Sequence, residues 1–243
     1  MLEKLVNKII NADCLEILQK IPDKSIDCII CDPPYGTTAC KWDSVISFEK
    51  LWAEYKRIRK EGAPILLFGA EPFSTYLRLS NIKEYKYDWY WEKTKPSGHL
   101  NAKKQPMRKI ENICVFYDKQ PAYYPQGLIK GEFNNNRPCK ARKIDGEFVH
   151  GNEREIGISK YRGYPNNVLN FSNGNNKNIH PTQKPVDLLE YLIKTYTRES
   201  DLILDNCSGS GSLAVACKNT KRDFICIEKD YNYWKASCER LVC

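Results

Sequence analysis

A carboxylate, two prolines and an aromatic ring stand together in the sequence Asp32-Pro33-Pro34-Tyr35. The motif follows a short apolar run, Ile26–Ile30, whose pattern is typical of a buried strand. Neither proline can donate a backbone hydrogen bond, so the sheet pairing should end there in a stiff turn. A carboxylate and a carbonyl can accept the two N–H bonds of an amino group, and an aromatic ring can stack on a planar ring. The motif therefore predicts a site for a planar ring that carries an amino group.

A second candidate site is the glycine turn Gly209-x-Gly211-x-x-Ala214, which lies between a predicted strand, Leu202–Leu204, and a predicted helix. Glycines let a ligand approach the backbone closely, and the positive end of a helix dipole favours bound anions. Glu228 ends the next predicted strand and can accept hydrogen bonds from ribose hydroxyls. The pattern fits a dinucleotide site as well as an S-adenosylmethionine site.

Apolar runs and amphipathic patterns predict the elements that must hold these two sites. Strands are predicted over Ile65–Phe68, Tyr85–Trp91, Ile113–Tyr117 and Phe224–Ile227, and helices over Phe48–Arg59, Phe73–Leu79 and Pro185–Thr197. Strands that alternate with helices and are continuously apolar are typical of a parallel sheet covered on both faces. In such a sheet, ligands bind at the carboxyl ends of the strands, where the Asp32 motif and the glycine turn both fall.

Length and composition restrict the class of protein. The chain has 243 residues, of which 42% are hydrophobic, which suits one sizeable domain with a smaller insert. No apolar run approaches the length of a membrane span, and the first residues lack the apolar stretch of a signal peptide. We therefore expect a cytoplasmic protein with no membrane partner.

The 11 cysteines are scattered rather than paired in motifs. The single C-x-x-C, formed by Cys28 and Cys31, lies in the first predicted strand, where positions three apart face opposite sides. We therefore predict no metal site, and we interpret the cysteines as small core residues of a protein in a reducing compartment.

Positive charge is concentrated in the middle of the chain. The formal net charge is +8, and the segment from Lys93 to Lys109 holds six basic residues and no acidic one. Glycine and prolines among these lysines predict a mobile loop over 93–107. The next segment, 118–178, is rich in asparagine and carries aromatic and basic side chains. This composition predicts a DNA-facing segment rather than a packed core. The basic candidates for phosphate contacts are Lys93, Lys95, Lys103, Lys104, Arg108, Arg137, Lys140, Arg142 and Lys143.

Asp32-Pro33-Pro34-Tyr35 resembles the catalytic motif of the amino-methylating DNA methyltransferases, which use S-adenosylmethionine to methylate adenine N6 or cytosine N4. The order of the motifs is similar to that of the β-group of this family, in which the catalytic half precedes the recognition segment and the cofactor half comes last. Here the segment His180-Pro181-Thr182-Gln183-Lys184-Pro185 and the glycine turn follow the basic insert.

The resemblance implies a Rossmann-like methyltransferase fold with a mostly parallel sheet. Its catalytic half would span 1–117, its target-recognition insert 118–178 and its cofactor half 179–243. Asp32, the Pro33 carbonyl, Pro34 and Tyr35 would form the catalytic set. The resemblance places the cofactor against Asp13, Cys14, Thr182, Lys184, Asp205, Gly209, Gly211 and Glu228.

The resemblance also distributes these cofactor contacts. Asp205, Gly209 and Gly211 would hold the methionine end, and Glu228 would bind the ribose. Asp13 and Cys14 would lie by the adenine, whereas Thr182 and Lys184 would border the methionine pocket. The family usually has Pro-Phe where this chain has Asn206-Cys207. Because the aromatic ring normally packs on the cofactor, we expect weaker cofactor affinity here.

An aspartate in the first position of the motif leans towards adenine within the family, so the sequence favours an N6-adenine methyltransferase of double-stranded DNA that acts by base flipping and direct transfer. An N4-cytosine methyltransferase is the first alternative. A nicotinamide-dependent dehydrogenase, a non-catalytic DNA-binding protein and an enzyme acting on RNA or protein amides also stay open. A homodimer and a cognate restriction endonuclease are further partners that the resemblance suggests.

Overall fold

The computed structural model describes residues 2–36, 45–135, 142–144, 147–149, 157–173 and 183–242. The chain divides into two compact units, one formed by Met1–Tyr124 with Asn167–Cys243 and the other by Pro125–Asn166. The helices are α1 Cys14–Leu18, α2 Phe48–Ile58, α3 Phe73–Ser80, α4 Val186–Tyr196, α5 Ser212–Thr220 and α6 Tyr231–Val242. The strands are β1 Lys8–Asn11, β2 Cys28–Cys31, β3 Ile65–Gly69, β4 Tyr85–Ser97, β5 Arg108–Phe116, β6 Ile129–Asn135, β7 Arg142–Ile144, β8 Glu147–Val149, β9 Gly157–Arg162, β10 Val168–Phe171, β11 Leu202–Asp205 and β12 Asp223–Glu228.

The first unit is organised around a sheet of eight described strands in the order β1-β12-β11-β2-β3-β5-β4-β10. Every neighbouring pair is parallel except the two pairs made by β5, which runs against β3 and β4. The predicted mostly parallel sheet with helices on both faces is confirmed. No helix in the described ranges has both the length and the apolar character needed to cross a bilayer.

The apolar strands are buried on both faces because helices cover each side of the sheet. On one side, Cys28 and Ile30 of β2 pack in a core with residues of α4 and α5. On the other side, Ile29 and Cys31 pack with residues of α1, α2 and α3. The predicted opposite orientation of Cys28 and Cys31 is therefore confirmed.

The long β4–β5 hairpin departs from the predicted loop over 93–107. The structure continues β4 to Ser97, so the prediction is wrong for the first five residues. Two contacts hold this extension in place. Lys93 pairs with Phe171 of β10, and the side-chain amide of Asn173 exchanges hydrogen bonds of 2.9 and 2.8 Å with the backbone of Lys95.

The hairpin projects from the edge of the sheet at which β2, β3, β11 and β12 end. This direction follows from the pairing, because β4 runs parallel to these strands and β5 begins beyond the end of β3. Its base therefore lies at the same edge as the turn that follows β2, with β3 between them.

The second unit is narrower than the predicted insert over 118–178. Residues 118–124 belong to the first unit, and β10 returns to the large sheet beside β4. Within Pro125–Asn166, β6 pairs with β9 and β7 pairs with β8, both antiparallel. The composition of this segment did not predict these strands.

Candidate active site

A cavity of about 620 Å³ opens at the carboxyl ends of the parallel strands. Pockets of about 300–1,000 Å³ commonly hold small-molecule ligands. The segments that follow β1, β2, β11 and β12 all contribute to its wall. The predicted site residues that line it are Asp13, Cys14, Asp32, Pro33, Pro34, Tyr35, Lys184, Asp205, Gly209 and Glu228. Thr182 lies outside the described residues.

The two prolines after β2 place Asp32 at the edge of the sheet, where its carboxylate is held by two side chains. Tyr35 donates its hydroxyl hydrogen to Oδ1 at 2.6 Å, and Lys184 donates to Oδ2 at 2.5 Å. The Tyr35 ring stacks on Phe73, with ring centroids 4.9 Å apart. Its hydroxyl thus orients the carboxylate, a role that the sequence did not predict. Stacking of Tyr35 on a bound base stays a prediction.

The Lys184 ammonium also reaches a carboxylate that no sequence motif marks, that of Glu111. Glu111 Oε2 lies 3.4 Å from Lys184 Nζ, and Glu111 Oε1 accepts a hydrogen bond of 3.1 Å from Lys93. Acidic and basic side chains therefore alternate in one network, in the order Asp32, Lys184, Glu111 and Lys93.

Period-two patterns in the sequence could have revealed this network. Lys93 continues the inward series of Trp89 and Trp91 on β4, both of which are buried in the core. Glu111 begins the matching inward series of β5, which continues with buried Ile113. A charged residue at an inward position on each of two paired strands is an unusual placement that requires a partner.

This placement corrects one predicted DNA contact. Lys93 was expected to bind phosphate, but it is only 5% exposed and its ammonium is bonded to Glu111 and to Ser97. The lysine lies on the inner face of β4 because the strand continues through this position. Its charge is therefore part of the site rather than of the outer surface.

Burial and ion pairing act in opposite directions on these groups. Burial raises the pKa of Asp32 above its ordinary value, and Lys184 limits this rise. Burial alone would lower the pKa of Lys184, but Asp32 and Glu111 raise it above the usual lysine value. The pKa of Glu111 is lowered, because Lys184 and Lys93 outweigh the effect of burial. Lys184 therefore stays protonated, and it favours the ionised form of both acids.

The other half of the cavity is built mainly from backbone contacts. The Cys207 N–H donates to Asp205 Oδ1 at 3.0 Å, and the Leu15 N–H donates to Asp13 Oδ1 at the same distance. Glu228 accepts bonds from two backbone N–H groups, those of Gly209 at 2.7 Å and Asp230 at 2.8 Å. Burial raises the pKa of Asp205 to about 7. A cationic ligand group beside Asp205 would favour its ionised form.

The structure separates the two glycines of the turn. Gly209 lines the cavity, whereas Gly211 does not and is the N-cap residue of α5, in a left-handed conformation with φ of 71°. A Cβ on Gly211 would lie 2.9 Å from Cβ of Ser237 and 3.1 Å from Cδ1 of Ile9. Gly211 therefore permits close packing of the turn on α6 and β1, and its contact with the cofactor stays a prediction.

Comparison with known proteins now decides the family. The sequence profile for DNA methylase, N6_N4_Mtase, matches residues 26–239. The match covers most of the chain and includes the segments that follow β2, β11 and β12 at the cavity. The chain belongs to this DNA methylase family. The resemblance to the amino-methylating DNA methyltransferases is thereby confirmed.

One relative supports this assignment and two solved structures share the fold, each over at least 96% of this chain. The Type II methyltransferase M2.LlaDCHI of Lactococcus lactis subsp. cremoris is 27% identical, over 96% of this chain and 88% of the relative. The M1.HpyAVI–SAM complex matches 97% of this chain and 99% of its own, with a TM-score of 0.64 and 24% identity. The cytosine-N4-specific PvuII DNA methyltransferase gives a TM-score of 0.66 at 17% identity, over 96% of this chain and 85% of its own. These two structures share the fold of the methylase.

Asn206 and Cys207 stand where the family usually has Pro-Phe, and the structure of this methylase shows the surroundings of both side chains. Asn206 is 2% exposed, and its side-chain oxygen accepts a hydrogen bond of 2.5 Å from the Tyr55 hydroxyl. Cys207 lines the cavity, and the interaction with its side chain lowers the pKa of the Cys14 thiol. Asparagine thus supplies an acceptor that a proline at this position would lack. The expected weaker cofactor affinity stays a prediction.

The remaining basic candidates of the methylase differ in their positions. Lys95, Lys103, Lys104 and Arg108 are exposed on the β4–β5 hairpin, which projects from the edge of the sheet that carries the cavity. Arg137 and Lys140 lie outside the described residues, and Arg142 and Lys143 are described only as part of β7. The exposed hairpin residues are therefore the candidates for DNA contacts that the structure can support.

Proposed function

We propose that this DNA methylase transfers a methyl group from S-adenosylmethionine to the N6 amino group of adenine in double-stranded DNA. The observation that carries the proposal is the Asp32 carboxylate, which lies in one cavity with the acidic cofactor half. Within the family, an aspartate in this position leans towards adenine. The relatives named Type II methyltransferases and the M1.HpyAVI–SAM complex support the reaction class and the cofactor.

The donor groups of the cavity fit this cofactor. Asp205 offers a carboxylate to the cationic methionine end, and Glu228 and Asp13 offer acceptors for ribose hydroxyls and an amino group. When bound, S-adenosylmethionine supplies a reactive methyl group on a positively charged sulfur. Gly209 exposes backbone at the same wall of the cavity, which permits close approach of the ligand.

The catalytic half has to improve a poor nucleophile. The lone pair of an exocyclic amine is delocalised into the ring, so the enzyme must draw it out of conjugation. Asp32 and the Pro33 carbonyl would accept the two amine hydrogens and localise that lone pair, while Tyr35 would hold the ring. Correct placement of two reactants can lower a barrier by roughly 7–11 kcal/mol. The proton lost after transfer would pass to Asp32 or to water.

The target base must leave the duplex before it can enter the cavity, which costs a few kcal/mol. Lys95, Lys103, Lys104 and Arg108 would hold the flanking phosphates, since they are exposed on the hairpin at this edge of the sheet. The insert over 125–166 would read the sequence. The homodimer and the restriction endonuclease partner stay predictions of the family resemblance.

The test is a product analysis. Methyl-labelled S-adenosylmethionine is incubated with unmethylated duplex DNA and, in parallel, with RNA, and the digested nucleosides are resolved by mass. We expect N6-methyladenine in DNA from the native chain and none from Asp32→Ala. N4-methylcytosine would contradict the choice of base and retain the mechanism. Transfer to RNA alone, or to neither nucleic acid, would overturn the proposal.

A further inference from the structure

Both carboxylate oxygens of Asp32 already accept a hydrogen bond in this structure, from Tyr35 at 2.6 Å and from Lys184 at 2.5 Å. The proposed reaction requires this carboxylate to accept a hydrogen of the target amine. The ion pair with Lys184 is the stronger competitor, because both of its partners are charged, whereas Tyr35 brings an uncharged donor. The ammonium therefore needs a second acceptor when the base enters.

Glu111 is placed to be that acceptor. Its Oε2 atom lies 3.4 Å from Lys184 Nζ, and it is buried without a well-oriented hydrogen bond from any described residue. A buried carboxylate oxygen without such a bond is costly unless a donor can reach it. A small rotation of the Lys184 side chain would shorten this contact while loosening the one to Asp32.

The sheet holds Glu111 rigidly in this position. Lys93 donates to Oε1 of Glu111 at 3.1 Å and to the Ser97 hydroxyl at 3.0 Å. Lys93 and Glu111 stand on the neighbouring antiparallel strands β4 and β5, where Glu111 pairs with Trp91, two positions before Lys93. The four groups carry two positive and two negative charges. A shift of Lys184 from Asp32 to Glu111 thus changes no net charge in the buried site.

We propose that Glu111 is a positioning residue that takes over the Lys184 ammonium when Asp32 turns to the target amine, with Lys93 fixing Glu111. The inference rests on the proposed function, because it concerns the methyl-transfer step. It assigns Glu111 no contact with cofactor or base. Its effect should therefore appear in the rate of transfer rather than in the binding of either ligand.

The experiment measures single-turnover methyl transfer at saturating S-adenosylmethionine and DNA, with both dissociation constants determined separately. We expect Glu111→Gln to slow transfer about 10- to 100-fold, the effect of losing a hydrogen bond to a charged group. Both dissociation constants should stay within about threefold of the native values. Glu111→Asp, which keeps the charge, should recover part of the rate. Lys93→Met should slow transfer in the same direction and tests the network if Glu111→Gln fails to fold.

A matched control separates positioning from general structural damage. Glu84 is a similarly buried acid, with its side chain 15% exposed against 18% for Glu111, and it pairs with Arg59 at 3.0 Å. It lies just before β4, at the opposite end of the strand from Lys93. Glu84→Gln should lower the melting temperature without slowing transfer at saturating ligands.

The pathway through Lys184 gives a second readout. If Glu111 acts through Lys184, Glu111→Gln should add little to the loss of rate caused by Lys184→Met. Fully additive losses would contradict the proposal. A folded Glu111→Gln variant with the native rate would overturn it, provided that the native chain methylates DNA. A native chain that transfers no methyl group would instead overturn the proposed function.

Discussion

The two halves of the cavity hold their carboxylates in different ways. In the cofactor half, Asp205 accepts from the backbone of Cys207, and Glu228 accepts from the backbone of Asp230, each only two positions away. In the catalytic half, Asp32 is held by side chains, and its partner Lys184 lies 152 positions away in sequence. The cofactor half relies mainly on backbone donors, although Lys229 also pairs with Asp13 at 3.0 Å, whereas the catalytic half relies on side-chain donors.

The two ways of holding a carboxylate suit two different functions, ligand binding and catalysis. Backbone donors cannot change partners without unfolding the turn, so they suit a site that binds the same ligand in every cycle. Side-chain ammonium groups can exchange partners by rotating, so they suit a carboxylate that must be released during the reaction. Substitutions in the two halves should therefore affect different measurements.

The largest effect is expected in the catalytic half. Asp32→Ala should lower the single-turnover rate on the order of a thousandfold or more, because it removes the group that polarises the amine. The dissociation constant for S-adenosylmethionine should change little, because the cofactor half keeps its contacts. Single-turnover methyl-transfer assays measure the rate, and calorimetric titration measures the dissociation constant.

Asp32→Asn is the matched variant, since it retains the shape and one acceptor oxygen without the charge. It should lie between the native chain and Asp32→Ala in rate. A native rate in Asp32→Ala would show that the catalytic group lies elsewhere and that the division of the cavity is wrong.

The next effect is expected in the cofactor half. Asp205→Asn should weaken binding of the cationic cofactor about 10- to 100-fold, the range expected for a lost charged hydrogen bond. Asparagine can still accept the Cys207 bond, so the turn should persist. Transfer at saturating cofactor should be much less affected than in Asp32→Ala. Titration and single-turnover rates of the two variants provide the comparison.

The same substitution should change stability in a pH-dependent way. The pKa of Asp205 is about 7 in the folded chain, against an ordinary value of 3.8. The folded state thus binds the proton more tightly, and stability falls as pH rises from about 4 through 7. At pH 8, Asp205→Asn should therefore raise the free energy of unfolding on the order of 4 kcal/mol. Denaturant unfolding at pH 5 and 8 tests this, and an equal difference at both values would contradict the assignment.

The smallest effect on chemistry is expected outside the cavity. Replacing Lys103, Lys104 and Arg108 on the hairpin by alanine should reduce the slope of log affinity for DNA against log salt by up to about 3. The rate at saturating DNA and the cofactor affinity should not change. Fluorescence titration at several salt concentrations measures the slope.

Three exposed lysines at the opposite edge of the sheet provide the control for this prediction. Lys20, Lys24 and Lys83 precede β2 or β4 rather than follow them. Their replacement by alanine should leave the slope nearly unchanged. Equal slopes in the two triple variants would show that the hairpin has no special role in DNA binding.

The comparison also explains which features the sequence could predict. The Asp32 motif and the glycine turn are contiguous, so their chemistry and their place at a strand end can be read from neighbouring residues. Most strands of the large sheet are buried apolar runs, and the pattern predicted them. β1 and β10 are exceptions, because each is four residues long and has one buried side chain, Ile9 and Leu169.

Features that depend on pairing between distant segments escaped prediction. Lys93 looked like one lysine among several in a basic loop, because the sequence does not show that β4 continues to Ser97. Glu111 carries no motif, and its role follows from its position opposite β4 and beside Lys184. Gly211 was predicted as part of the glycine turn. Only the structure shows that α6 packs against it so closely that a side chain would not fit.

Backbone hydrogen bonds hold the residues just before and just after the segment Pro125–Asn166 in the larger unit. The Tyr124 N–H donates to the Thr195 carbonyl, and the Tyr90 N–H donates to the Asn167 carbonyl, both at 2.8 Å, before β10 joins β4. Changes of length or sequence between these points can leave the register of the large sheet untouched. In evolutionary terms, the part proposed to read DNA can diverge without moving the strands that carry the cavity.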